Sequence, residues 1–382
     1  MHSGCADGFP TAERWMMRVL LVSDVHLDSP FAWAKPEVAR KRRQALRDAL
    51  TRSIQLAMDQ QVDVICCGGD LFEHDRVSPD TGQFLRALFE RAHPIPVFIA
   101  PGNHDWLGPE SLYGRVGWSP NVYLFEQRRL APVTIVEGLT LWGGAHFAPA
   151  GASNFLEGFT VDRGGVHLAL FHGSEQGSYY ADEPGKAPHA PFRAIEIEAC
   201  GIHFALLGHY HAPRNAERFI YPGNPEPLTF GESGQRGVVI ASVDDGGRVT
   251  IDRHSVAVSD VGDFGIEVSG CTNKQEIRDR VAGALENRRG YARVTLTGEL
   301  DPDIDIQAVE FEDVAPSLDS PPIIRFESVT IAYNLALIGQ EPTVRGQFVR
   351  DVQASDLSTE ERRRIIILGL RALDGRHDLQ VL

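Results

Sequence analysis

Short polar clusters recur in a fixed order along the chain: Asp24-Val25-His26, Gly69-Asp70, Gly102-Asn103-His104-Asp105, His172-Gly173 and Gly208-His209-Tyr210-His211. His26, His172, His209 and His211 offer imidazoles, Asp24 and Asp70 carboxylates, and Asn103 an amide oxygen. Such a mixed nitrogen and oxygen set suits a borderline first-row dication such as Mn, Fe or Zn, because hard Mg or Ca favours an all-oxygen cage. These side chains are too many for one ion with an open position; they suit two ions that share a bridging carboxylate. Two dications about 3.5–4 Å apart clamp the attacking and leaving oxygens of an in-line displacement at phosphorus. They also lower the pKa of a shared water, so that hydroxide exists near neutral pH. With only Asp24 and Asp70 to neutralise them, the ions leave the site positive, and phosphate is attracted.

The elements that must carry these groups are legible from the apolar runs before them. Runs of strand character at residues 19–22, 62–67, 97–100, 166–171 and 204–207 lead directly into the clusters, with Pro101 intervening once before Gly102. A polar group after a buried strand lies at the carboxyl edge of a sheet, where open α/β folds place their ligands. Between the clusters, residues 36–58 and 79–92 read as helices, the second opened by a proline in its first turn. Further strands are expected at 133–136, 139–142, 237–243 and 249–253. Taken singly, each cluster has an ordinary reading as a turn or an Asx-type loop. Their joint occurrence in this order decides for one metal site.

Read together as D-x-H, G-D, G-N-H-D/E, H and G-H-x-H, the clusters resemble the calcineurin-like metallophosphoesterases. The resemblance implies an α/β fold: a four-layer metallophosphoesterase β-sandwich flanked by helices, plus a small α/β C-terminal capping domain. It implies that Asp24, His26, Asp70 and His211 hold one ion and Asp70, Asn103, His172 and His209 the other, Asp70 bridging. The metal-bridging hydroxide is then the nucleophile and His104 the general acid, with Asp105 orienting its ring. Two divalent ions are expected, Mn first, with Fe, Zn or Mg as alternatives.

Residues outside the ligand set narrow the resemblance. The stretches 24–31 and 69–72, and Tyr221-Pro-Gly-Asn-Pro-Glu226 followed by Phe230-Gly-Glu232, look like the DNA-repair exonuclease branch, the SbcD-type nuclease subunits and their YhaO-like relatives, over roughly residues 18–250. This implies a DNA phosphodiesterase, a 3'-to-5' exonuclease, with an SMC-like coiled-coil ATPase and a second copy of the chain as partners. A small-molecule phosphodiesterase or phosphatase on the same dimetal site is the alternative. One departure stands out: many members of the branch carry a histidine three residues after the bridging aspartate, where this chain has Glu73 followed by His74. Endonuclease action is correspondingly less expected.

The chain of 382 residues is 43% hydrophobic, enough for two domains with sizeable cores. The expected division is an extension at 1–16, ahead of a natural start at Met17, a nuclease domain at 17–257 and a cap at 258–382. In the cap, strands at 264–268 and 291–296 flank a helix at 273–286 started by Thr272 with Gln275 as a capping box, and a strand at 323–333 follows a linker. The tail from 343 reads as helical, with Ser358 and Glu361 as a second capping box. No apolar run approaches the ~18 residues of a membrane span. The 5 cysteines form no C-x-x-C pair, which fits a reducing cytoplasm. Net charge is −15, and basic residues gather only at 40–43 with Arg47, at Arg288-Arg289 and at 362–364. Phosphate contacts dominate DNA affinity, so weak, salt-sensitive DNA binding is expected without a partner. The loop 173–194, with Tyr179, Tyr180 and His189, reads either as a substrate-facing loop or as an irregular surface loop, and none of its residues is assigned a role.

Overall fold

The computed structural model describes residues 15–177 and 188–375. Most of the expected N-terminal extension, Cys5, Tyr179, Tyr180 and the residues from 376 onward lie outside the described residues. The chain divides into two compact units, one running to Leu228 with Gly234–Ser259, the other comprising Thr229–Ser233 and the residues from Asp260.

In the first unit, the chain runs β1 (Met16–Val22), α1 (Pro36–Asp59), β2 (Val64–Cys67), α2 (Pro79–Arg91), β3 (Val97–Ile99), the single-turn α3 (Leu112–Arg115) and β4 (Val122–Leu124). It continues through β5 (Ala131–Val136), β6 (Leu139–Gly143), β7 (Val166–His172), α4 (Ala194–Ala199), β8 (Phe204–Gly208), β9 (Arg214–Asn215), β10 (Phe219–Tyr221), β11 (Gly237–Asp244) and β12 (Val249–Ser255). These strands form two six-stranded sheets, ordered β12-β11-β1-β2-β3-β4 and β5-β6-β7-β8-β10-β9. The central strands β1 to β4 and β6 to β8 pair in parallel, which brings their carboxyl ends to one edge of each sheet. Strand β1 begins one residue inside the expected extension, because Met16 pairs with Asp244 of β11.

Side-chain alternation builds the layers. Val19, Leu21 and Cys66 face Leu168, Leu170 and Leu206 of the other sheet in the sandwich core. Leu20, Val22 and Cys67 point the opposite way, onto Leu46, Leu50 and Ile54 of α1 and Leu85 and Phe89 of α2. The outer face of the second sheet, with Trp142, Phe171 and Leu207, packs against Ile197 of α4. Helix, sheet, sheet, helix is the expected four-layer arrangement. The described cysteines Cys66, Cys67, Cys200 and Cys271 are buried and free, and burial raises the thiol pKa of each.

The second unit holds a parallel three-stranded sheet, β13 (Val261–Glu267), β14 (Tyr291–Leu300) and β15 (Ile323–Ile331), with α5 (Lys274–Ala284), α6 (Leu335–Ile338), α7 (Val344–Gln353) and α8 (Thr359–Leu373). Its own core contains Val268, Ile277, Val281, Val294, Leu296, Val349, Ile366 and Leu370. The cap of α5 lies one residue later than expected. Asn273 accepts from Glu276 N, Glu276 reaches back to Thr272 N, and Gln275 turns instead to Asp279. Ser358 and Glu361 do form a capping box. They start α8, which follows α7 in the helical tail. Among the described residues no helix is long and apolar enough to cross a membrane.

Candidate metal centre

Every sequence-predicted ligand lies at the carboxyl end of a parallel strand: Asp24 and His26 after β1, Asp70 after β2, Asn103 after β3, His172 at the end of β7, and His209 and His211 after β8. The loops after β1 and β2 are stitched together, Asp24 N donating to Gly69 O at 3.0 Å and His26 N to Asp70 O at 2.9 Å. Asp24, His26 and Asp70 all take positive φ (55°, 51° and 53°), and His209 has φ 120°. Such backbone costs on the order of 1–3 kcal/mol per residue and gathers at functional sites. Two glycines make the approach possible. A Cβ on Gly69, itself at φ 94°, would meet Gly102 N at 2.7 Å, and one on Gly102 would collide with Asp70 Oδ1 and lie 2.8 Å from His172 Nδ1.

Asp70 sits at the middle. Its Oδ1 accepts from the His104 amide at 2.8 Å, while Oδ2 lies 3.7 Å from His26 Nε2 and 3.2 Å from His172 Nε2. Asp24 Oδ1 lies 4.0 Å from His211 Nε2, and the Asp24 carboxylate accepts from His209 N. His172 Nε2 and His209 Nδ1 stand 3.3 Å apart. The far side of each ring sets its tautomer. His26 Nδ1 donates to Glu73 Oε1 at 2.7 Å and His172 Nδ1 to Gly68 O at 2.9 Å, so Nε2 faces inward in both.

A divalent metal fits these residues. His26 Nε2 and Asn103 Oδ1 are buried with no hydrogen-bond partner among the described residues, a costly condition unless something else satisfies them. Three overlapping groups, Asp24 with His26 and His211, His26 with Asp70 and His104, and Asp24 with Asp70 and His172, each bring ligand atoms within 4.8 Å of one another. Burial alone would raise the Asp70 carboxyl, but His172, His26 and His104 around it hold it well below the usual carboxylate range. The imidazole and carboxylate donors match a borderline divalent ion.

His104 stands beside this cluster with its side chain 45% exposed and its ring centroid 4.7 Å from that of His26. The expected role of Asp105 requires correction, because both its oxygens are consumed elsewhere. They accept from Asp70 N, Leu71 N and Gly102 N and from the Tyr113 hydroxyl at 2.6 Å, so Asp105 ties the loops after β2 and β3 together. Burial and the Asp70 charge raise its carboxyl to about 6. The carboxylate that holds the His104 ring is Glu73, whose Oε2 lies 2.9 Å from His104 Nδ1. Burial opposes the charge on His104, but the hydrogen bond to Glu73 and the Asp70, Glu73 and Asp105 charges raise its pKa to about 9. Burial likewise opposes the charge on Glu73, and the bonds from His104 and His26 hold it down to about 2. His74 stacks on Trp106, ring centroids 3.9 Å apart.

The Tyr221–Glu226 stretch braces the ligand loops. Tyr221 donates to Gly173 O, next to His172, at 2.6 Å, and accepts from Glu175 N. Asn224 N donates to His211 O, and Arg236 bonds both that oxygen and Asn224 Oδ1. Glu226 pairs with the fully buried Arg42 at 2.6 Å and accepts from Val258 N at 2.7 Å. His146 was not singled out by any motif; its Nε2 donates to His172 O at 2.7 Å, and burial lowers its pKa to about 4. The ring of His189 lies 5.2 Å from that of His209.

The family model described as calcineurin-like phosphoesterase matches residues 17–213. The chain is 29% identical over 246 residues to the uncharacterized metallophosphoesterase YhaO of Bacillus subtilis (strain 168), covering 59% of this chain and 57% of that protein. It is 28% identical over 298 residues to the DNA double-strand break repair protein Mre11 of Methanopyrus kandleri, covering 69% of this chain and 62% of that protein. Each match therefore spans less than two thirds of the relative's own length. Among solved structures, TT1561 of Thermus thermophilus is similar at 13% identity and a TM-score of 0.38, over 63% of this chain and 99% of that one. Because the family match covers just over half of the chain and takes in every strand end from Asp24 to His211, the chain belongs to the calcineurin-like phosphoesterase family.

Proposed function

We propose that the chain hydrolyses phosphodiester bonds in DNA as a 3'-to-5' exonuclease with two divalent ions, Mn first among them. One observation carries the dimetal reading: Asp70 Oδ2 lies between His26 Nε2 and His172 Nε2, while Oδ1 is held by the His104 amide. Asp24, His26, Asp70 and His211 would hold one ion, and Asp70, Asn103, His172 and His209 the other. When bound, such ions draw in the phosphate and make water acidic enough to attack it. His104, with Nδ1 turned to Glu73, keeps Nε2 clear of that carboxylate to give its proton to the leaving oxygen. The DNA substrate is supported by the similarity to the protein described as Mre11 and by the Tyr221–Glu226 stretch. An SMC-like coiled-coil ATPase and a second copy belong to the same reading. Arg42 and Arg47 of the basic stretch on α1 are taken up by Glu226 and Asp80, which leaves less positive surface for DNA.

The test is Mn-dependent cleavage of end-labelled single- and double-stranded DNA by the purified chain, beside H104A and an aryl phosphodiester. Shortening from the 3' end, lost in H104A with metal binding retained, supports the reading. Cleavage of the aryl diester alone moves the substrate to a small phosphodiester on the same centre.

A further inference from the structure

We propose that Glu73 is a positioning residue that sets the metal site and the acid together. The inference rests on the dimetal reading above. Glu73 stands where many members of the resembled branch carry a histidine, and its side chain, 20% exposed, is no solvated loop group. Its two oxygens serve different histidines. Oε1 lies 2.7 Å from Nδ1 of the ligand His26, and Oε2 lies 2.9 Å from Nδ1 of His104. The backbone fixes the carboxylate between them, Glu73 N donating to Leu27 O at 3.0 Å and Arg76 N to Glu73 O at 3.0 Å.

A carboxylate is acceptor-only, so it can take Nδ1–H from both rings at once. His26 is thereby held in the tautomer that leaves Nε2 bare for an ion, and donation to a carboxylate makes that nitrogen a better ligand. The same group turns the His104 ring so that its other nitrogen presents the proton. Glutamine has the shape but only one accepting end. Its NH2 would face one of the two Nδ1 atoms and favour the opposite tautomer, putting a proton on His26 Nε2 or turning His104 away. One substitution therefore damages both functions.

The experiment compares the full chain with E73Q and E73D in two readouts. Mn binding is followed by titration calorimetry. Turnover at saturating Mn is followed on a p-nitrophenyl and a phenyl ester of the same nucleotide, because a poor leaving group depends on the acid and a good one does not. In E73Q the Mn affinity is expected to fall roughly 10- to 100-fold, and kcat to fall roughly 10²-fold or more on the phenyl ester with a much smaller loss on the p-nitrophenyl ester. E73D keeps the charge but is one methylene too short to span both rings, so it shows the same pattern and answers for any folding defect in E73Q. Unchanged Mn affinity, or equal losses on the two esters, overturns the proposal. A wild-type chain that binds Mn but cleaves neither ester nor DNA overturns the phosphodiesterase reading instead, and the Mn titration still decides whether Glu73 positions His26.

Discussion

At the scale of single residues, His104 and Asp105 are neighbours with unlike work. His104 borders the cluster of candidate metal ligands, half-open to solvent, whereas Asp105 is wholly buried and holds three backbone amides and a phenol. H104A is expected to lower DNA cleavage by about 10²- to 10⁴-fold while Mn binding, measured by calorimetry, stays near wild type. The Glu73–His104 pair also makes stability depend on pH in the chelated protein. Glu73 is depressed from 4.5 to about 2, so its contribution is complete above 4.5 and is lost as pH falls through 2. His104 is raised from 6.5 to about 9, so its contribution is complete below 6.5 and is lost as pH rises through 9. The Tm gap between wild type and E73Q, measured in chelator, is therefore expected to be widest between these limits and to narrow toward pH 2 and pH 9. A gap that stays flat across that range would contradict the pairing.

At the scale of elements, the parallel strands deliver the ligands and the loops between them set the spacing. G102A tests this, because its new methyl would collide with Asp70 Oδ1 and crowd His172 Nδ1. Mn affinity is expected to drop roughly 10- to 100-fold with an unchanged far-UV CD spectrum; wild-type affinity would show that the loop after β3 has slack. The strands themselves were readable because each is an apolar run ended by a polar cluster. Helix ends were less so. Asn273 displaces Thr272 as cap because its side chain reaches the Glu276 amide, whereas the Ser358–Glu361 box marks the start of α8 in the sequence itself. The Tyr221–Glu226 stretch was visible as a motif, yet its work, bracing the backbone at Gly173 and His211, depends on where β10 runs in the sheet.

At the scale of the whole molecule, the Arg42–Glu226 pair locks α1 to the Tyr221–Glu226 stretch at zero exposure for both side chains. E226A takes the carboxylate from a buried guanidinium that keeps its bond to Pro227 O, and is expected to cost about 3–5 kcal/mol, read as the loss of unfolding free energy in urea. Metal adds its own linkage. If the centre binds Mn only when folded, Mn at 100 times its dissociation constant is expected to stabilise the chain by about 2.7 kcal/mol, and EDTA to reverse the rise in Tm. A Tm indifferent to both would count against the metal centre.

Taken alone, the sequence determined the chemistry on offer. The ligand types and the apolar runs before them are local properties, carried by side-chain identity, and they put polar clusters at the ends of buried strands; the α/β sandwich came from the resemblance those clusters carry. Only the tertiary structure decided which carboxylate serves which histidine. Glu73 meets His26 and His104 across 47 and 31 residues, and Arg42 meets Glu226 across 184. No local pattern encodes such pairings, because they arise where loops from separate strands converge. There the carboxylate next to His104 in sequence, Asp105, turns to the backbone, and the one that reaches its ring, Glu73, arrives from another strand's loop.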